Sequence, residues 1–194
     1  MELGKRIIQE LKNNSELKDL FLFALVTIVF HFLYWGTDMN TWLFWPFNNE
    51  VYSFFTSLTY KGTVFLSNIF FTTPFDAVDS SIKFYNTTAS GAKEFFSTME
   101  IVKDCSGVKQ ILQLFMIMLV VPNKFWKRMI YFLCASIVVL LFNIIRTFGL
   151  TVVSLNYPNN YQFIHDWIGR PYHYIIIFII WVIWLQFFAR PKKR

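Results

Sequence analysis

Apolar residues along this chain fall into five blocks, and the length and polarity of each block predict the elements. Leu20 to Trp35 reads LFLFALVTIVFHFLYW, with a polar His31 inside it. VKQILQLFMIMLVV covers 108–121, MIYFLCASIVVLLFNIIRTFGLTVV covers 129–153, and YHYIIIFIIWVIWLQFFA covers 172–189. Runs this apolar predict helices that cross a membrane. The remaining block, VYSFFTSLTYKGTVFLSNIFF at 51–71, is interrupted by Lys61 and Gly62. Residues 73–104 are more polar and carry charges of both signs; SIKFY and MEIV predict short strands around Gly91 in a small cap. The first 18 residues are polar and charged and predict a cytoplasmic amphipathic segment ahead of a single membrane domain over 19–194. With no small-residue cleavage site after it, the first apolar block reads as a retained anchor.

Composition reinforces the pattern. Apolar residues make up 55% of the 194 residues and Phe alone occurs 24 times, more apolar surface than a soluble chain of this size can cover. A bilayer removes the difficulty, because that surface then faces lipid.

The net charge of +6 raises nucleic acid as a partner, and its distribution excludes it. Basic residues gather at Lys5, Arg6, Lys12 and Lys18, at Lys124, Lys127 and Arg128, and at Arg190, Lys192, Lys193 and Arg194. Each cluster flanks an apolar block, as cytoplasmic loops do, and none interleaves with a groove for phosphates. Two cysteines without a CxxC or a Cys/His pairing supply no metal framework, and nothing in the chain calls for a cofactor.

Topology follows from parity. With the basic clusters inside, the first helix ends outside and the 108–121 helix must begin outside. The chain between them therefore crosses an even number of times. The charges of 73–104 each cost roughly 2.5–3.5 kcal/mol at a helix centre, so 51–71 is read as an interfacial or re-entrant element on the outer face. The fold expected is an all-α integral membrane protein with about four transmembrane helices, an outer-face interfacial segment and a small extracytoplasmic cap. Both termini lie inside.

Polar residues stand where lipid disfavours them. Arg146 lies 17 residues up from Met129, roughly 26 Å along a helix, in the outer third of the bilayer and level with Cys105. An arginine there faces a protein interior, a wet cavity or, by snorkelling, the headgroups. Asn143 is one turn below it, a candidate for interhelical hydrogen bonding. The loop NYPNNYQFIHDWIGRPYHY brings His165 and His173 to the same layer. A thiol near a helix N-terminus and beside a cation is favoured as thiolate, although Asp104 opposes this. Histidine exchanges its proton, and arginine stabilises an oxyanion. These are parts for acyl transfer through a thioester, with either histidine able to serve. Tyr161, Phe163, Trp167 and Tyr172 suit an interfacial aromatic belt or the wall of a cleft.

Three stretches carry a family resemblance. D-C-S-G-V-K at 104–109, N-I-I-R-T at 143–147 and H-D-W-I-G at 165–169 resemble, in that order, the motifs of the exosortase/archaeosortase family of membrane cysteine transpeptidases. The match covers about residues 95–190, and the chain looks like a short form. The resemblance implies Cys105 as nucleophile, Arg146 as the oxyanion-stabilising or substrate-orienting residue and His165 as general acid/base, with His173 and Asn143 as alternative or auxiliary residues. It implies protein substrates bearing a C-terminal tripartite sorting signal: a recognition motif, a membrane helix and a basic tail. A membrane channel or scaffold is the competing reading; it predicts that Cys105 is dispensable. Thiol-redox chemistry needs Cys134, which a helix places roughly 18 Å deeper than Arg146. Cys134 reads instead as a small buried packing residue.

Overall fold

The computed structural model describes residues 15–87, 92–121 and 123–189. The predicted amphipathic segment lies largely outside these residues, as do Gly91 and the basic 190–194 tail. Among the described residues the long helices are α1 (Ser15–Gly36), α2 (Asn48–Phe70), α3 (Val108–Val120), α4 (Phe125–Asn156) and α5 (Arg170–Trp184). Among the described residues three stretches, Leu17–Gly36, Phe125–Asn156 and Pro158–Phe188, are long and apolar enough to cross a membrane; Val108–Val120 is a shorter apolar helix. The four-span helical expectation holds in this form.

The period of the buried positions explains the packing. On α4 the inward stripe is Ala135, Val139, Asn143, Thr147, Thr151 and Ser154, spaced by about one turn. Its first part joins Leu114, Ile117 and Met118 of α3 and Ile177, Ile180, Trp181 and Trp184 of α5 in an apolar core that also takes Phe23 of α1. Its second part is polar and faces α2.

Helix α2 takes in most of the 51–71 stretch. The polar break at Lys61–Gly62 does not interrupt it, and one helix runs from Asn48 to Phe70. Gly62 is what lets it pack, since a Cβ there would sit 2.6 Å from Ile144 Cδ1. The buried face of α2 carries Tyr52, Thr59, Thr63 and Ser67, a small and polar stripe meeting the polar stripe of α4. Small residues bring helix backbones close, and Thr63 Oγ1 returns its own hydrogen bond to Thr59 O at 2.8 Å.

A three-stranded antiparallel sheet caps this end of the bundle: β1 (Phe75–Val78), β2 (Ser81–Thr87) and β3 (Lys93–Glu100), in that order. The β1–β2 hairpin turns at Asp79 and Ser80, both at positive φ (50° and 63°), the backbone that a tight two-residue hairpin requires. Ile82 and Phe84 of β2 and Ile101 close a second apolar cluster with Cys105. Ser97 Oγ donates to Ser154 O at 3.1 Å and seats the sheet on the end of α4. With 32 residues, α4 is about 48 Å long, more than a ~30 Å hydrocarbon core, so it reaches both the cap and the far face.

Candidate active site

At the capped end, the end of α1, the start of α3, the upper part of α4 and the approach to α5 surround a cavity of about 350 Å³. Cys105, Arg146, His165 and His173 all line it. The three motifs separated in sequence therefore meet in space, and each has a local reason for its shape.

Cys105 ends a 3-10 turn, Lys103–Cys105, just before α3. Gly107 then takes φ +81° and starts the helix; a Cβ there would also lie 3.2 Å from Asn143 Nδ2. A left-handed backbone and a close neighbour both call for glycine. Asn143 Nδ2 donates to Cys105 O at 2.7 Å and to Thr59 Oγ1 at 3.1 Å, tying the thiol-bearing turn to α4 and α2.

The thiol differs from the sequence expectation of a thiolate. Cys105 is buried under the sheet, 7% exposed. Burial raises its pKa above the ordinary value; the nearby Arg146 guanidinium and a backbone hydrogen bond at Val102 pull it down, and Asp104 pushes it up again. Desolvation is the largest of these, and it favours the protonated thiol.

Arg146 donates from Nε to Gly169 O at 2.9 Å. A Cβ at Gly169 would stand 3.3 Å from that Nε, so the glycine that closes the H-D-W-I-G stretch makes room for the arginine. The guanidinium thus points into protein and cavity, not to headgroups.

The expected loop before the last span is helical instead. Pro158–Asn160, Tyr161–Ile164 and a π-helical turn, His165–Gly169, run without a break into α5. The wide π turn shifts the register between Tyr161 and Arg170, an irregularity often found at functional sites. His165 Nδ1 lies 2.9 Å from Asp166 Oδ1, and its ring stacks on Tyr161 at 6.0 Å. An ionised carboxylate only accepts, so Nδ1 carries the proton and Nε2 is the basic atom. Asp166 is itself held by Gln162 Nε2 at 2.7 Å and Arg170 Nη2 at 3.2 Å.

His173 is engaged differently. It is 5% exposed, and its Nε2 lies 3.0 Å from Asn143 Oδ1. Because the Asn143 amide nitrogen already donates to Cys105 O and Thr59 Oγ1, Oδ1 is the acceptor and His173 Nε2–H donates. His173, Asn143 and the Cys105 carbonyl form one buried chain of hydrogen bonds. One histidine is paired with a carboxylate, the other with an amide that braces the thiol.

Residues not singled out from the sequence also line the cavity. Lys109 places Nζ over the rings of Trp35 and Tyr34, at 4.8 and 5.2 Å from their centroids. Gln110 Oε1 is buried with no hydrogen-bond partner among the described residues. Both follow Cys105 by about one turn, and that spacing was the available signal. His31 of α1 lies 3.3 Å, through Nδ1, from Tyr174 OH, so this polar residue of the first span belongs to the cavity wall. Of the aromatic residues, Tyr161 lines the cavity, whereas Phe163 and Trp167 face outward.

Cys134 is exposed on the outward face of α4, not buried as its sequence surroundings predicted, and both cysteines are free. Among the described residues no group of His, Cys, Asp and Glu is arranged to hold a metal.

No curated protein and no solved structure matches the chain. The family model described as transmembrane exosortase matches residues 20–185, which takes in most of α1, all three motifs and α5. This multi-pass membrane protein belongs to the transmembrane exosortase family.

Proposed function

We propose that this protein is a membrane-embedded cysteine transpeptidase that cleaves a C-terminal sorting signal from membrane-anchored exported proteins and transfers them to a surface acceptor. The observation that carries the reading is the shared cavity: Cys105, Arg146 and His165 line one space in a chain of the exosortase family. In the topology read from the basic clusters, that cavity opens on the extracytoplasmic side.

The chemistry follows from the contacts. With Asp166 holding the proton on Nδ1, His165 Nε2 takes the proton from the Cys105 thiol as Sγ attacks the scissile carbonyl. The carbonyl oxygen becomes an oxyanion. Arg146 uses Nε on Gly169 O and keeps its terminal nitrogens for that charge. Collapse breaks the C–N bond, and the imidazolium returns the proton to the leaving amine. A thioester on Cys105 remains. The nucleophile of the acceptor then loses its proton to His165 and displaces the thiolate, which recovers that proton. Burial of the thiol fits this order, because a nucleophile kept protonated until base and substrate meet is protected from adventitious oxidation.

Asn143 and His173 act as positioning residues in this scheme, fixing the carbonyl of Cys105. Anchoring of the substrate by its own membrane helix presents one peptide bond at a fixed depth and removes much of the search.

The test is processing of exported proteins in cells carrying single variants. Cys105→Ala is expected to leave the sorting signal attached, whereas Cys134→Ala processes normally. Normal processing by Cys105→Ala would sink the transpeptidase reading in favour of a channel or scaffold. Loss on Cys134→Ala would instead point to redox chemistry.

A further inference from the structure

A second cavity, of about 280 Å³, opens between α4 and the helical turns leading into α5. Its walls are Ile145, Gly149, Leu150, Ile164, Ile168 and Tyr172, and Arg146 and Gly169 line both it and the catalytic cavity. Apart from Arg146 and the Tyr172 hydroxyl the lining side chains are apolar. It is therefore the place where the lipid side of the bundle meets the reacting centre.

Gly149 forms the notch. A Cβ there would find no atom within 4 Å, so nothing in the fold demands glycine at this position. Below the notch, Trp126, Ile130, Leu133, Ile137, Leu141 and Ile145 form an exposed stripe at about one-turn spacing on the same helix. From Trp126 to Ile145 is about 28 Å along the helix, close to one hydrocarbon thickness. An occupant of the notch has close to a full bilayer to cross along this stripe.

We propose that this groove seats the apolar transmembrane segment of the substrate, with the scissile bond carried past Arg146 and Gly169 toward Cys105. The inference rests on the sorting-signal reading and adds a binding site to it. Arg146 and Gly169 are a wall common to this groove and the catalytic cavity, which places an occupant of the groove next to the reacting peptide. The length of the stripe suits a spanning helix. The open notch at Gly149 lets a helix backbone approach closely.

Cross-linking tests the groove without using catalysis. The protein carrying Cys105→Ala and Cys134→Ala has no native thiol. Ile168→Cys is added in one version and Phe32→Cys, on the exposed face of α1, in another. Each is reconstituted in phosphatidylcholine vesicles with a synthetic peptide: a polar flank, a cysteine at the first apolar position, a Leu/Ala helix of membrane-spanning length and a Lys/Arg tail. Oxidation is expected to yield at least ~10-fold more disulfide at Ile168→Cys than at Phe32→Cys, a preference of about 1.4 kcal/mol. Gly149→Leu is expected to erase the difference and Gly149→Ala to retain most of it. Equal yields at the two positions, or a yield indifferent to Gly149→Leu, would overturn the proposal and leave the groove to lipid chains. Because Cys105 is absent here, a failure counts against the groove alone; normal processing by Cys105→Ala counts against the catalytic reading.

Discussion

The two ends of α4 follow one packing period and obey opposite chemistry. Away from the cap, the inward stripe is Ala135 and Val139, set among Leu114, Ile117, Ile177, Trp181 and Trp184. Toward the cap, the same stripe turns to Asn143, Thr147, Thr151 and Ser154. In lipid an apolar contact gains little over lipid itself, so the first half is held by close packing. Buried polar groups are costly unless paired, and the second half pairs them: Asn143 with Cys105, Thr59 and His173, Thr147 and Thr151 with carbonyls one turn back. Polarity is concentrated where a thiol, an arginine and two histidines must hold fixed positions. One half is scaffold; the other lines the candidate site.

Substitutions can break that contrast. The largest effect after loss of Cys105 itself is expected for Arg146→Lys, which keeps the charge and loses the planar donor set and the bond to Gly169 O. Processing should fall on the order of 10²-fold or more, as for loss of an oxyanion donor; activity near that of the native chain would remove Arg146 from the chemistry. Next come the histidines. His165→Ala should cost about 10²-fold through loss of the base. His173→Gln, whose amide can still donate to Asn143 Oδ1, should cost less than about 10-fold, or 1.4 kcal/mol. A reversed order would make His173 the base. The smallest effect on processing belongs to the scaffold half. Ile177→Ala, in a fully buried site, should lower stability by about 2 kcal/mol in a denaturation assay while each folded molecule processes normally.

The same contrast marks what could be read from the sequence. Spans appear as apolar runs, because lipid selects composition directly: 20–35 and 129–153 fall inside α1 and α4, and 172–189 covers most of α5 and the π-helical turn Leu185–Ala189 that follows it. Cys105, Arg146 and His165 were legible as polar residues at one depth, since a helix converts sequence distance into height. Other features depend on partners that no local pattern displays. Helix α2 runs through Lys61–Gly62 because Ile144 of a distant segment fills the space above the glycine. The wide turn at His165–Gly169 extends the last helix through a stretch whose Pro, Asn and Gly residues signalled a loop. The protonation of Cys105 was misjudged for a related reason: the helix terminus and the cation are local, but the sheet that buries the thiol comes from residues 75–100. Exposure of Cys134 escaped for want of a rotational reference, as an all-apolar stretch of helix has no polar face to show which side is outward.

The most direct measurement is capture of the thioester. Membranes holding the protein would be quenched in acid during processing, digested, and searched by mass spectrometry for the Cys105 peptide. An acyl adduct on Cys105 that neutral hydroxylamine releases, and that is missing from Cys105→Ala, is the expected result. Continued processing with Cys105 unmodified at every time point, and undiminished by Cys105→Ala, would contradict a covalent role for this thiol.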